Sequence, residues 1–143
     1  MSEKLTRVGT TYIPVKNVEL SSEWYVTKLG AVLNYIDQDK AILNLANQSF
    51  FLVKASENQS SNFIDVYGNV RFLLTFEVDG LQALERLHKE FNDNEIVVGE
   101  IEDRGHAGKN FVFRDIDGNI FDVWSELSSI FKERYLISQD EKQ

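Results

Sequence analysis

The stretch VRFLLTFEVDGL, residues 70–81, restarts a pattern the chain has already run through once. Residues 70–78 read as a strand rich in β-branched and aromatic side chains. Gly80 then precedes a helix over about 81–92, where Leu81, Leu84, Leu87 and Phe91 recur at helical spacing. The earlier copy is VGTTYIPVKNV, residues 8–18. Residues 8–16 read as a strand, with the only proline, Pro14, marking an edge or an irregularity. Asn17 is a candidate N-cap for a helix over about 18–29, with Leu20, Trp24 and Tyr25 on one side and Gly30 ending it. Val15-Lys16-Asn17-Val18 lies 63 positions before Val78-Asp79-Gly80-Leu81.

Each half continues with three strands. In the first they are VLNYID at 32–37, AILNLA at 41–46 and SFFLVKA at 49–55, joined by turn residues at 37–40 and 47–48. In the second they are EIVVG at 95–99, FVFR at 111–114 and NIFDVW at 119–124, with the loop EIEDRGHAGKN after the first of them. Phe51-Leu52-Val53 lies 70 positions before Phe121-Asp122-Val123, and that loop absorbs the change of offset. Repetition of a supersecondary unit in the same order is an architectural signal. The expected organisation is a single domain over 1–143. It comprises a first β-α-β-β-β module at 8–55, a linker at 56–69, a second module at 70–126, and a short C-terminal helix and tail at 127–143. Leu127, Ile130, Phe131 and Tyr135 fall near one face of that helix, and the last residues are expected to fray.

Bulk composition narrows the function. Of 143 residues, 43% are hydrophobic and 12% aromatic, enough for a packed core. The net charge of −8 repels phosphate backbones and anionic lipid, which argues against nucleic acid or membrane as main partner. With no cysteine there are no disulfides, thiolate metal sites or thiol nucleophiles. The N-terminus lacks the apolar segment of a signal peptide, so the expected location is the cytoplasm.

Two segments resemble one family. FRDIDGNIFDVW, residues 113–124, resembles the final hairpin of the vicinal oxygen chelate superfamily (glyoxalase, bleomycin-resistance and extradiol dioxygenase relatives), with Ile116 in the usual proline position. VKNVELSSEWYVTKLGAVL, residues 15–33, resembles the same family's first helix region, through Trp24-Tyr25 and Leu29-Gly30. The resemblance covers about residues 8–126. It implies an α+β fold in which two tandem modules form a curved, partly open eight-stranded sheet around a cup.

Metal-dependent members of that family take His, Glu or Gln ligands from four equivalent strand positions. By the internal offsets these are Thr10, Leu52, Leu73 and Asp122, of which only Asp122 is a strong ligand type. The expectation is therefore no metal and no cofactor. Strand alternation gives a cup lined by Tyr12, Phe50, Leu52, Leu73, Thr75, Asp122 and Trp124, with Arg71 and Lys54 able to reach inward. His106 lies in a loop suited to fold over the cup mouth, whereas His88 belongs on the edge of the second helix. Such a lining suits a small organic molecule. Asp122, if buried, needs a pairing charge, for which Arg71 and Lys54 are candidates.

Two look-alikes are set aside. Asp115, Asp117 and Asn119 mimic a calcium loop, but Ile120 stands where that loop needs glycine, and a hairpin turn with Gly118 or Asn119 left-handed is expected instead. Gly105-His106-Ala107-Gly108-Lys109 lacks the glycine spacing and following Ser or Thr of a phosphate loop. The leading expectation is a metal-independent binder of a small molecule, working as a homodimer. An enzyme with a degenerate metal site (lyase, isomerase or dioxygenase) and a non-catalytic regulatory or interaction module are the alternatives.

Overall fold

The computed structural model describes residues 3–141. The elements are β1 (Thr10–Val15), α1 (Val18–Leu29), β2 (Val32–Ile36), β3 (Lys40–Leu45), β4 (Gln48–Lys54), β5 (Phe63–Ile64), β6 (Val70–Arg71), β7 (Thr75–Glu77), α2 (Leu81–Asp93), β8 (Asn110–Arg114), β9 (Ile120–Trp124) and α3 (Ser129–Glu141). The chain is α+β. Its strands form a four-stranded sheet in the order β1-β4-β3-β2, a two-stranded sheet β5-β6, and a three-stranded sheet β7-β9-β8. Two compact units result: one runs to Phe72 and includes Arg114–Ile120, and the other takes Leu73–Phe113 and continues from Phe121.

In the first unit β1 pairs with β4 in parallel, with Tyr12 opposite Phe51 and Ile13 opposite Leu52. Residues of one face, including Ile13, Val15, Ala41, Leu43, Phe50 and Leu52, are buried, and α1 packs on β2, β3 and β4. The Asn17 side chain accepts from the Leu20 amide at 3.0 Å, capping α1 as expected. Gly30 ends the helix at φ +74, where a side chain would be strained. The buried face of α1 carries Val18, Ser21, Ser22 and Tyr25, whereas Leu20 is 55% exposed. Two serines face inward because Ser21 Oγ donates to Asp117 Oδ2 at 2.6 Å and Ser22 Oγ to the Glu19 carbonyl.

The Asp115–Asn119 turn is held by buried polar contacts within this unit. Asp115 Oδ2 accepts from the Tyr25 hydroxyl at 2.6 Å and from Asn119 Nδ2 at 2.8 Å, while its Oδ1 accepts from the amides of Asp117 and Asn119. Asn119 also donates to the Pro14 carbonyl and accepts from the Ser61 amide, and Asp117 accepts from the Lys16 amide. Gly118 takes the left-handed conformation at φ +85, as the hairpin reading expects of Gly118 or Asn119. The carboxylates that mimic a calcium loop are thus occupied by the chain's own donors.

In the second unit β7 runs parallel to β9, with Thr75 opposite Asp122 and Glu77 opposite Trp124. Phe76, Phe113 and Phe121 form one aromatic cluster, which Phe91 of α2 joins through Phe113. Such ring pairs each add about 0.5–1.5 kcal/mol beyond their area burial. His88 lies on the edge of α2, as expected. Its Nε2 is 2.8 Å from the Gly99 carbonyl and its ring is edge-on to Phe111.

Four expectations need correction. EIVVG does not form a strand; it contributes one bridge, Val98 to Phe113. The strand expected over 70–78 is interrupted at 72–74 and survives as β6 and β7. The segment 56–69, read as a linker without periodicity, carries a strand, because Phe63-Ile64 pairs with Val70-Arg71 around the turn at 65–69. The described residues therefore form nine strands in three sheets rather than eight in one. The C-terminal helix extends to Glu141 and so takes in the first four of the residues 138–143 expected to fray, while the last two lie outside the described residues.

Candidate functional site

The residue with the most informative surroundings is Asp122, 2% exposed in the middle of β9. Strand alternation turns Phe121 and Val123 to the α2 side, which leaves Asp122 on the other face with Trp124. Its Oδ2 accepts from Thr75 Oγ1 at 3.0 Å and from Asn110 Nδ2 at 2.8 Å. Its Oδ1 lies 3.1 Å from Arg104 Nη1, a contact that is close in charge but outside hydrogen-bond alignment. Arg104 Nε also donates to Glu102 Oε2 at 2.8 Å. The pairing cation is thus Arg104, and not Arg71 or Lys54. Arg71 belongs to the first unit, where it pairs Phe63 across β5-β6 and stacks on Phe72 at 5.4 Å. Lys54 is exposed at the end of β4.

Arg104 stands on the loop between the Glu102–Asn110 bridge, and the same loop is seated on the end of β9. Trp124 Nε1 donates to the Ala107 carbonyl at 2.8 Å, and the Lys109 amide donates to Ser125 Oγ at 2.9 Å. The His106 ring is edge-on to Trp124 with centroids 6.1 Å apart, and its Nδ1 lies 2.8 Å from the Ala107 carbonyl. The structure therefore brings Thr75, His106, Asp122 and Trp124 into one neighbourhood of the second unit and adds Asn110, Glu102 and Arg104. Reasoning from strand faces missed these three. A signal existed for Arg104: a lone arginine in an acidic loop, in a chain whose last strand buries one aspartate. Leu73 falls in the break before β7 and is 63% exposed.

The first unit departs from expectation at β4. Phe50 and Leu52, expected on the open face, are buried at 2% and 0% beside Ile13 and Val15. The residue that shares a face with Tyr12 is Phe51, whose ring lies 5.2 Å from that of Tyr12. The likeness of Phe51-Leu52-Val53 to Phe121-Asp122-Val123 is one residue out of step with the pairing: Asp122 faces Thr75 as Phe51 faces Tyr12. Because strand side chains alternate, that single step exchanges the two faces. Thr10 and Tyr12 are exposed.

Among the described residues no three His, Cys, Asp or Glu side chains stand together to hold a metal ion. The companions of Asp122 do not fit a divalent cation. A guanidinium cannot ligate, and a threonine hydroxyl with an amide makes a weak donor set. Phe51, which the register sets opposite Tyr12 as Asp122 is set opposite Thr75, has no donor atom. No described helix is long and apolar enough to cross a membrane.

Neither a family model nor a curated protein matches the sequence. Solved structures do match the fold. Lactoylglutathione lyase from Agrobacterium tumefaciens is 16% identical, with a TM-score of 0.67 over 85% of this chain and 95% of that one. The fosfomycin resistance protein FosX from Listeria monocytogenes, solved with Mn(II) and sulfate, is 12% identical, with a TM-score of 0.66 over 94% and 99%. TnmS3, an antibiotic binding protein from Streptomyces sp. CB03234, is 16% identical, with a TM-score of 0.66 over 86% and 98%. The chain has the fold of the vicinal oxygen chelate proteins, the glyoxalase, bleomycin-resistance and dioxygenase group.

Proposed function

We propose that the protein binds a small organic molecule without a metal, on the face of the second unit's sheet that carries Thr75, Asp122 and Trp124. The observation that carries this reading is the occupancy of Asp122. Thr75, Asn110 and Arg104 of the same chain surround the one strong ligand type at the expected chelating positions. The Trp124 indole and the His106 ring offer an aromatic edge beside that polar group, the mixture typical of small-molecule sites. TnmS3, with the same fold, is an antibiotic binding protein, whereas FosX was solved with Mn(II). The donor set here favours the first of these two uses.

The homodimer belongs to the same proposal. Ile130 and Tyr135 on α3 are 60% and 43% exposed, and the Phe131 ring stacks on Tyr135 at 4.8 Å, giving an apolar helix side for a second copy. The proposed location is the cytoplasm.

A thermal-shift screen of drug-like and metabolite-like compounds, run with a chelator present, tests the binding reading. A ligand that binds the native state raises the melting temperature in proportion to its occupancy. The expected result is a saturable rise that is lost in Trp124→Ala. A broad library that produces no rise in the wild type contradicts the proposal and favours a regulatory or interaction module.

A further inference from the structure

We infer that Asp122 and Asn110 form a binding site for a cationic hydrogen-bond donor on the ligand, an ammonium or guanidinium group that takes the position Arg104 now holds. The inference deepens the proposed function and rests on it. Asp122 and Asn110 are 2% and 3% exposed. Asn110 Nδ2 donates to Asp122 Oδ2 at 2.8 Å, which fixes the amide's orientation, because turning it would set its oxygen against the carboxylate. Asn110 Oδ1 is then left buried without a donor, and Asp122 Oδ1 is likewise without an aligned one. Two buried acceptors in one cluster are costly to leave unmet. Among the described residues, Asp122 Oδ1 is met by the guanidinium contact at 3.1 Å, which lies outside hydrogen-bond alignment. A ligand donor is free to orient where the tethered arginine is not.

Charge selects the ligand class. The Arg104 guanidinium lies between two carboxylates, Asp122 and Glu102. The three groups together carry one negative charge, and Glu100 and Asp103 flank them in sequence. An anionic ligand meets repulsion, a neutral one gains hydrogen bonds, and a cation gains both hydrogen bonds and charge pairing. Access follows from how Arg104 is held. Its side chain is 29% exposed, and residues 103–109 form neither helix nor strand. The loop's base is the Glu102–Asn110 bridge; Trp124 holds the Ala107 carbonyl and Ser125 the Lys109 amide. In the proposed bound state Arg104 withdraws together with the Ala107 segment, and neither belongs to the β7-β9-β8 ladder.

The test uses the full chain in a Trp24→Phe background, so that Trp124 is the sole tryptophan and its emission reports release from the Ala107 carbonyl. The probe is agmatine, which carries both a guanidinium and an ammonium, titrated against matched sodium chloride. The wild type is expected to show a saturable emission change. Arg104→Ala, which no longer spends affinity on displacing its own cation, is expected to bind agmatine about tenfold more tightly. Asp122→Asn is expected to lose the response. If Arg104→Ala does not fold, Arg104→Gln carries the comparison.

The inference is overturned if the arginine variant binds agmatine no better than its double variant with Asp122→Asn. Neutral or anionic library compounds serve as the second arm. If those bind at Trp124 and no cation does, the inference falls while the proposed function stands. If nothing of any charge binds, the proposed function itself falls.

Discussion

Arg104 Nη1 lies 3.1 Å from Asp122 Oδ1, and Nε of the same guanidinium donates to Glu102 Oε2 at 2.8 Å. One cation of a loop thus holds a carboxylate that is 3% exposed on its side chain. A double-mutant cycle with Arg104→Met and Asp122→Asn, read by urea unfolding, is expected to give a favourable coupling of about 1 kcal/mol, within the usual range for contacting pairs. Partial exposure of the arginine keeps the value modest. A coupling indistinguishable from zero contradicts the pairing.

The Tyr25 hydroxyl donates to Asp115 at 2.6 Å in a buried setting. Tyr25→Phe removes that donor and leaves a buried carboxylate short of one partner. The expected loss is about 1.5–3 kcal/mol, the range for hydrogen bonds to charged groups. Equilibrium unfolding in urea measures it, and a loss below the error of the method contradicts the assignment.

Burial pushes the Asp115 carboxyl above its usual 3.8, although hydrogen bonds from Tyr25, Asn119 and the turn amides pull the other way. The native state therefore keeps this proton to a higher pH than the unfolded chain does. Stability conferred by the group is fully present below the unfolded value and is lost as pH rises through the folded one. The unfolding free energy of the wild type minus that of Asp115→Asn is expected to fall as pH rises from 3.8. A difference that rises over that range contradicts the burial argument. Asp37 runs the opposite way. The Tyr35 hydroxyl and the amides of Asp39 and Lys40 hold it down to about 2, so its contribution is present above the unfolded value and lost as pH falls through about 2.

Gly108 has φ +73, and a Cβ built there meets Ser125 Oγ at 2.6 Å and Trp124 Nε1 at 2.9 Å. Gly108→Ala is expected to cost about 1–3 kcal/mol from backbone strain alone, and in addition to displace the loop from Trp124. Gly68 shares the left-handed backbone at φ +85 but has nothing within 4 Å, so Gly68→Ala isolates the strain. Indole emission is expected to change in the first variant and not in the second. Equal spectra contradict the seating of the loop.

Much of the frame is legible in the residues. The Asn17 cap, the Gly30 stop and the 81–92 periodicity depend on local chemistry, and the structure places all three where that chemistry requires. The turn at 115–119 is legible for the same reason. The face of β4 is not, because Ser49-Phe50-Phe51-Leu52-Val53 is apolar on both faces and only pairing with β1 sets the alternation. The partner of Asp122 was equally hidden. Arg104 reaches it through the course of a long loop that carries no periodic signal, whereas Arg71 and Lys54 were the cations visible on the neighbouring strands.

Because Thr75, Asn110 and Arg104 surround Asp122, the proposed binding site takes no metal there. Elemental analysis of protein purified without chelator checks this. The expected result is no stoichiometric transition metal and an unchanged metal content in Asp122→Ala. Stoichiometric Zn, Mn, Ni or Fe in the wild type that is lost in Asp122→Ala would contradict it.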